Sequence, residues 1–386
     1  SQDIEFDMPV TEAGHSGGVW TIVPTSALPN VTGPVSLDAR TQPGWAGTPI
    51  VELDGTSTTT ALGIDLQGAG SLIAGFAIGD YTRPLGVQSS NVTIVGNWVG
   101  VHADGVTLWP TSPDDALRLV NGGSNATVGT STPADRNVFV DGTNSGIYMW
   151  ISHSVSIQGN YIGVLPDGVT PAPNGSGIRS RLSGHDEIIG GALAGEGNVI
   201  AHNTGACIDL PVPSNRTEIR GNSIGVDAAG NPGGNSGAGI SITGVSDEIQ
   251  VFGNTIANNG GVGILISDAS TNAALSGNLL EANTGLGIDL GADGVTVNDA
   301  GDGDSGANSL LNHPIIGTAT ETGGTVTVSG TWDVPAGWYV IETFVSAAAD
   351  PSGYGEGESH AGSSILYHSG IGDSAWGAAF PGSVGD

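Results

Sequence analysis

Lysine is absent from this chain of 386 residues, and all eight of its basic residues are arginine. Against 38 acidic residues they leave a formal net charge of −30, which argues against binding nucleic acid or an anionic membrane surface. The single cysteine, Cys207, rules out an internal disulfide framework. No apolar run reaches about 18 residues, so no segment is predicted to cross a membrane as a helix.

The remaining composition is that of a folded but extended protein. Charged residues make up only 12% of the chain and hydrophobic residues 38%, so it is not an acidic disordered polymer. Glycine is very frequent, with 66 residues. A chain of this length is too long for one compact core, which favours an elongated fold or two domains.

A short glycine–asparagine motif recurs along the chain. It reads GNWVGV from Gly96, GNYIGV from Gly159 and GNSIGV from Gly221, about 62 residues apart, with shorter echoes at Gly253 and Gly277. Short apolar alternations after a small residue recur more often, about every 23 residues, with six to nine extra residues per turn in mid-chain. Two turns with alternating insertions therefore make one full period of the motif.

These repeats predict stacked strands. Apolar and polar residues alternate over four or five positions, and no sustained helical period is present. Strands separated by Gly and Asn at a fixed interval are typical of a parallel solenoid with coils about 4.8 Å apart. We expect Ile and Leu inside, an amide ladder from the asparagine of each motif, and Cys207 as a small coil residue rather than a nucleophile.

The pattern changes from about His313. The runs TVTVSGTW and WYVIETFVSA alternate as antiparallel strands, which predicts a small, incomplete β-sandwich with Val340, Ile341 and Phe344 on its inner face. The predicted divisions are N-terminal strands and first coils over 1–62, β-helix coils over 63–292, an acidic junction loop over 293–312 and the sandwich over 313–386.

The repeats resemble those of secreted right-handed parallel β-helix proteins, in the surface and adhesion-like branch of the pectate-lyase-like superfamily. This resemblance implies an all-β, right-handed parallel β-helix with a C-terminal Ig-like module, located on the extracellular surface. The segments that carry it are Gly159–Gly163, Asp167–Asn174, Gly177–Ile178, Glu196–Ile200, Thr21–Trp45, Val51–Gly55 and Asp350–Ser363.

The resemblance also predicts that both ends are cut. A Cys-containing capping segment is missing before Ser1, and the sandwich stops near Gly382 to Asp386, before its usual last strands. Open strand edges invite pairing with another chain. The alternating segment Ser1–Val10 is thus a candidate donor strand for a neighbouring copy, which would build a filament. Truncation is the competing explanation.

A candidate ligand face follows from the alternation along the coil strands. If Ile147 points inward, Tyr148 points outward, and the same count on neighbouring coils brings arginine, aromatic and acidic residues together. Such side chains suit sugars and carboxylates; exposed cross-coil contacts without a ligand are the alternative. The residues are Arg118, Tyr148, Trp150, Arg179, Arg181 and Asp209.

Catalysis is left open by the sequence. An inverting glycosidase needs two carboxyls roughly 6.5–9.5 Å apart, and the adjacent pair Asp114 and Asp115 lies in a Pro-containing turn with no accompanying motif. A polysaccharide lyase needs a base and a group that neutralises a carboxylate. Arg179 or Arg181 with His153, His185 or Tyr148 would supply them, but the net charge opposes a polyuronate unless calcium bridges it.

An acidic, glycine-rich loop is a candidate calcium site. Clustered hard oxygen ligands repel one another unless a cation is bound, and calcium accepts six to eight of them. The spacing is not that of an EF-hand, and a solvated acidic linker is the alternative. The expected ligands are Asp293, Asn298, Asp299, Asp302 and Asp304.

The sequence thus favours an extracellular structural or adhesion-like protein that is not an enzyme and that assembles with its own copies or binds surface glycans. The alternative is a polysaccharide-binding or polysaccharide-cleaving protein, a lyase or glycoside hydrolase, that uses the arginine and aromatic face. Nucleic acid and membrane insertion are not expected. Sequons allow N-glycosylation at Asn30, Asn91, Asn125, Asn174 and Asn215.

Overall fold

The computed structural model describes residues 2–58, 61–182, 184–267, 270–348, 353–370 and 372–382. It confirms the predicted fold: three long sheets, parallel apart from one N-terminal hairpin, wind into a β-helix, and small antiparallel sheets follow at the C-terminal end. Each coil passes through sheet 1, sheet 2 and sheet 3 in turn. No helix in the described part of the chain is long and apolar enough to span a membrane.

The strands of the β-helix are short. Sheet 1 contains Gln2–Glu5, Val35–Asp38, Leu72–Ala74, Thr93–Val95, Thr127–Val128, Ser156–Ile157, Ile188–Gly190, Glu218–Arg220, Gln250–Phe252 and Ala274–Ser276. Sheet 2 contains His15–Ser16, Val19–Ile22, Val51–Asp54, Phe76–Gly79, Trp98–Val99, Val138–Phe139, Tyr161–Ile162, Val199–Ile200, Ser223–Ile224, Thr255–Ala257 and Leu279–Glu281. Sheet 3 contains Leu62–Leu66, Arg83–Val87, Asp115–Val120, Ser145–Trp150, Ser176–Arg181, Ile208–Leu210, Ile240–Ile242, Ile264–Ile266 and Ile288–Leu290.

Three 3-10 turns and one two-stranded pair complete the β-helix and its junction. The turns are Ala39–Thr41, Pro133–Asp135 and Ala307–Leu310, and the pair joins Gly184–His185 to Ser214–Asn215. Aliphatic side chains from successive coils fill one continuous core, in which Ile147, Ile178 and Ile208 are fully buried and stacked in register. Cys207 is buried in this core.

One step of the predicted register is wrong. The apolar alternation after Gly86 predicts Val87 as the partner of Ile64 and Leu117, but the residue paired with both is Leu85. In most other coils a small residue stands directly before the first inward apolar residue of sheet 3. Pro84 stands there instead, so the sequence pattern does not mark Leu85 as that residue. The coil spacing is therefore less regular at the start of the chain than the sequence pattern indicated.

The predicted amide ladder is present in the interior. The Nδ2 atom of each asparagine donates to Oδ1 of the next, at 2.9 to 3.2 Å, and the backbone N–H of each rung donates to the same oxygen. The motif glycine takes a positive φ, 67° at Gly159, which lets the chain turn into the rung. The rungs are Asn97, Asn137, Asn160, Asn198, Asn222, Asn254 and Asn278.

A second amide ladder lies at the corner before sheet 3. It has the same donor and acceptor pattern, with Nδ2 to Oδ1 distances of 2.9 to 3.0 Å. Sequence reasoning missed it, although each rung stands three or four residues before the small residue that opens a sheet-3 strand. The rungs are Asn174, Asn203, Asn235, Asn259 and Asn283.

The C-terminal sandwich consists of two antiparallel sheets. Ile315–Thr322, Thr325–Trp332 and Ser374–Pro381 form one, and Gly337–Val345 with Ser359–His368 form the other. Trp332, Ile341, Trp376 and Phe380 pack between them. Residues 349–352 and 383–386, which hold the start of the predicted Ig-like run and the predicted early end, lie outside the described residues.

The expected inner face of the sandwich is partly wrong. Ile341 is buried, but the neighbouring Val340 points outward and is 56% exposed, because successive side chains of a strand face opposite sides. Phe344 turns toward the last coil of the β-helix, where it lines a cavity of about 170 Å³ with Leu275 and Leu280.

Two glutamates of the sandwich close the ends of the ladders. Glu356 accepts from the backbone N–H of Asn283 and, at 2.7 Å, from its Nδ2, as the next rung would. Glu342 accepts from Ser276 Oγ at 2.7 Å and from the Gly277 N–H beside the last rung of the first ladder. The sandwich therefore caps the C-terminal coil.

The proposed donor strand belongs to its own β-helix. Gln2–Glu5 pairs in parallel with Val35–Asp38. Phe6 and Met8 then pack against the core, where the Phe6 ring lies edge-on to Phe76 at 5.3 Å. The expectation that Ser1–Val10 is available to a neighbouring copy is therefore wrong, since it closes the first coil; Ser1 itself lies outside the described residues.

Candidate functional site

The candidate ligand face lies on the outside of sheet 3, where three neighbouring strands are unusually long. Asp115–Val120, Ser145–Trp150 and Ser176–Arg181 have six residues each, whereas the strands from Ile208 onward have three. Two outward columns cross this platform. The first contains Arg118, Tyr148, Arg179 and Asp209, and the second contains Val120, Trp150 and Arg181.

At the Arg118 end of the first column, the polar side chains bind one another. Arg118 Nη1 lies 2.7 Å from Asp115 Oδ2, and its guanidinium stacks over the Tyr148 ring at 4.7 Å. Ser145 Oγ donates to the other Asp115 oxygen at 2.6 Å. Burial raises the pKa of the Asp115 carboxyl, although the contacts with Ser145 and Arg118 oppose that shift. Tyr148 is only 8% exposed, so it supports Arg118 rather than offering a free ring face.

The lower end of this column is an ion pair. Arg179 Nε lies 3.2 Å from Asp209 Oδ2, in the next coil. Burial raises the pKa of the Asp209 carboxyl, and the charges of Arg179 and Arg181 oppose that shift. The pairing leaves Arg179 about one third exposed, so a ligand anion would have to compete with Asp209 for it.

The second column is the accessible part of the face. Trp150 and Arg181 are register partners in neighbouring strands and both are exposed. Arg181 makes no ion pair with any described residue. The next residues, Ile151 and Leu182, are also exposed, at 41% and 51%, and hold positive φ angles of 54° and 58°. Sequence reasoning missed both. Asn121, one coil earlier, has a positive φ at the same position, so this conformation belongs to the corner that follows sheet 3.

No free carboxylate for acid–base chemistry is visible among the described residues of this face. Asp65 is 5% exposed and accepts hydrogen bonds from Gln67 and Gln88. Asp114 lies 3.7 Å from Arg83, while Asp115 is bound as described above. A general base must reach its substrate proton directly or through one water, and these carboxylates are directed at protein partners instead.

The two histidines considered for catalysis stack on each other in the turn after sheet 3. His153 and His185 have ring centroids 4.0 Å apart and nearly parallel planes. Asp186 binds His185 Nδ1 at 2.6 Å and is held in turn by Arg216. Burial lowers the pKa of His153, and the nearby His185 lowers it further. These contacts tie the histidines to the turn rather than to the arginine column.

The acidic junction brings only three of the five predicted metal ligands together. Carboxylate oxygens of Asp299, Asp302 and Asp304 lie within 4.8 Å of one another. Asn298 is directed elsewhere, because its amide makes two hydrogen bonds with the backbone of His313. Asp293 does not join the group.

The environment of the triad is electrostatically strained. Burial raises the pKa of Asp302, and the charges of Asp304, Asp299 and Asp333 add to that shift. Asp333, which the sequence did not indicate, has one buried carboxylate oxygen without a hydrogen-bond partner. Carboxylates crowded in this way are suitable ligands for calcium.

Calcium is expected to raise the melting temperature by several degrees, because an ion bound only by the folded state stabilises it. Asp302→Asn together with Asp304→Asn should remove the shift, while Glu321→Gln, at an exposed strand position, should leave it unchanged. Differential scanning calorimetry with and without chelator measures both. A calcium response that persists in the double variant would place the ion elsewhere.

One predicted glycosylation site is incompatible with the fold. Asn174 is 1% exposed, and its Nδ2 donates to Asn203 within the second ladder, so an attached glycan would displace a rung. Asn30, Asn91 and Asn125 are exposed and Asn215 is half-buried. Those four remain predictions.

Comparison with known proteins adds little to this geometry. No family model matches the chain, and no curated protein matches it. Among solved structures, "Geobacillus virus E2 - ORF18" aligns with 91% of this chain and 67% of its own, at 11% sequence identity and a TM-score of 0.37. Similarity at that level supports no conclusion about function, and the resemblance to secreted β-helix families stays a prediction.

Proposed function

We propose that this protein is a non-catalytic, extracellular adhesion-like β-helix that binds a polysaccharide through the outer face of sheet 3. The observation that supports this is the exposed pair of Trp150 and Arg181. Arg181 has no ion-pair partner in the described residues, although the chain carries a net charge of −30, and it is exposed. Beside an exposed tryptophan, it suits a sugar ring that carries a carboxylate or sulfate.

A binding role is favoured over cleavage because the carboxylates of this face are already bound to neighbouring side chains. Asp65, Asp115 and Asp209 are each held by neighbouring side chains, and burial raises the pKa of the latter two. A lyase or hydrolase would need at least one such group free to reach the substrate. Extracellular location is part of the proposal and rests on the resemblance to secreted β-helix proteins and on the sequons.

The proposal is tested with a panel of polysaccharides that includes alginate, polygalacturonate, heparin and dextran. Trp150→Ala with Arg181→Ala is expected to weaken binding of the retained polymer by at least about tenfold. The melting temperature should fall only slightly, because Arg181 is exposed and Trp150, which is 37% exposed, loses one edge-on contact with Tyr148. Arg220→Ala removes one charge from sheet 1 and serves as the matched control. Equal binding by the double variant, or release of reducing ends or unsaturated products by the parent, would contradict the proposal.

A further inference from the structure

The two-stranded sheet of the sandwich carries an apolar strip on its outer face. Trp338, Val340, Ile365 and Tyr367 are 73%, 56%, 70% and 57% exposed, respectively. They form two cross-strand pairs, Trp338 with Tyr367 and Val340 with Ile365. The two aromatic rings lie 5.3 Å apart at an angle of 58°. This is the apolar strip discussed below.

The strip is the regular outer face of a well-packed sheet. The alternate residues Tyr339 and Ile341 on one strand, and Leu366 on the other, contact the sandwich core. A slip of one residue would therefore bury the strip only by exposing the core residues. The outward direction of the four side chains is fixed by the packing behind them.

At its other end, the same face contacts the β-helix. Glu342, two residues after Val340, binds Ser276 and Gly277 of the last coil. The strip thus begins where the contact with the β-helix ends and continues it as an open surface. Large exposed apolar patches on soluble proteins mark interaction sites.

Charge restricts the partner. Every arginine of the chain lies between Arg40 and Arg220, so residues 313–386 contain no basic residue other than histidine, while they contain eight acidic ones. An anionic polysaccharide or an anionic membrane would be repelled from this module at low ionic strength. The strip therefore fits a neutral partner, in contrast to the arginine face of sheet 3.

Size argues against a second copy of the chain. A fully buried aromatic side chain contributes about 150–250 Å², so the four partly exposed side chains offer roughly 450 Å² of apolar surface. A stable dimer needs about 800 Å² from each partner, and two chains of charge −30 would repel. A thin ligand such as a polysaccharide strand needs no larger surface.

We propose that the apolar strip binds a neutral polysaccharide, whose pyranose rings pack their C–H faces on Trp338 and Tyr367. The negative face of an aromatic ring attracts such C–H groups, and the sugar hydroxyls remain in water. Val340 and Ile365 extend the contact along the polymer. This site is separate from the one on sheet 3 and does not depend on it.

The test measures retention of the full chain on swollen cellulose, chitin and curdlan at low and high salt. Retention on at least one polymer, independent of salt, is expected. Trp338→Ala with Tyr367→Ala should lower the bound fraction at least about tenfold, whereas Trp338→Phe should retain most of it. Ile316→Ala removes an exposed apolar side chain from the other sheet and should bind like the parent. The Trp150→Ala, Arg181→Ala variant should also bind, which separates this site from the first.

Three results would overturn the proposal. The first is no retention on any of the three polymers, and the second is equal retention by the double variant and the parent. The third is a different occupant: a dimer in sedimentation velocity that dissociates in the double variant, or binding to phosphatidylcholine vesicles that the double variant loses. Melting temperatures of the variants at Trp338, Tyr367 and Ile316, expected to match the parent because these side chains are exposed, show that the sandwich is folded.

Discussion

Replacing Asn160 with alanine is expected to destabilise the β-helix by about 3–5 kcal/mol, because it removes an entire rung from a buried ladder. Asn160 is fully buried. Its Nδ2 donates to Val128 O at 2.8 Å and to Asn198 Oδ1 at 3.0 Å, and its Oδ1 accepts from the N–H and Nδ2 of Asn137. Alanine would leave the Asn137 N–H without an acceptor and would remove one of the hydrogen bonds made by Val128 O, Asn198 Oδ1 and Asn137 Nδ2, where water cannot reach.

The measurement is the midpoint of unfolding in guanidinium chloride. Asn144→Ala is the matched control, because the Asn144 side chain is exposed; its midpoint should change by less than the equivalent of about 0.5 kcal/mol. Asn160→Asp should be harmful as well, since a carboxylate accepts from Asn137 but cannot donate to Asn198. A loss below about 1 kcal/mol in the alanine variant would show that the ladder is not a main source of stability.

Removing both capping glutamates is expected to separate the sandwich from the β-helix. Hydrogen bonds to a charged group contribute about 1.5–3 kcal/mol each, and Glu342 and Glu356 accept four donors of the last coil between them. The Glu342→Ala, Glu356→Ala variant should unfold in two steps and should be cleaved faster by proteases within residues 293–312.

Calorimetry and limited proteolysis check this result. The glutamine variants at the same positions keep an acceptor oxygen and should show a smaller effect than the alanine variants. Glu321→Ala, at an exposed position of the first sandwich strand, should behave like the parent. A single transition in the double alanine variant, with unchanged cleavage, would show that the apolar contacts around Phe344 suffice to hold the sandwich.

The coil architecture was predictable because the same physical requirement recurs in every turn. Each coil needs a small residue at its corners, aliphatic residues inside and a hydrogen-bonding rung, and stacking puts like residues in register. The outward columns could therefore be counted correctly, and pairing of Tyr148 with Arg179 and of Trp150 with Arg181 confirms them. The second ladder obeys the same rule, but its single Asn is less conspicuous than a repeated motif.

Which side chains of the candidate face are free, and which are bound to neighbours, could not be predicted in the same way. The alternation of apolar and polar residues predicts that Tyr148 points outward. Whether its ring is free depends on the side-chain conformation of Arg118, one coil away. The same holds for Asp115, which a Pro-containing turn seemed to separate from the face and which instead binds Arg118. At the junction, the Asn298 side chain hydrogen-bonds to the backbone of His313 and does not join the acidic group. Contacts between distant residues decided each case.

The ladders also determine how this protein responds to force. Their hydrogen bonds join successive coils and so run along the axis of the β-helix, with 23 to 40 residues between neighbouring rungs. Tension along the axis would load the bonds of one coil at a time, since each coil contacts only its neighbours. Every coil that peels away releases roughly 75–145 Å of extended chain. A tether built in this way yields in steps and lengthens under load while the remaining coils keep their structure.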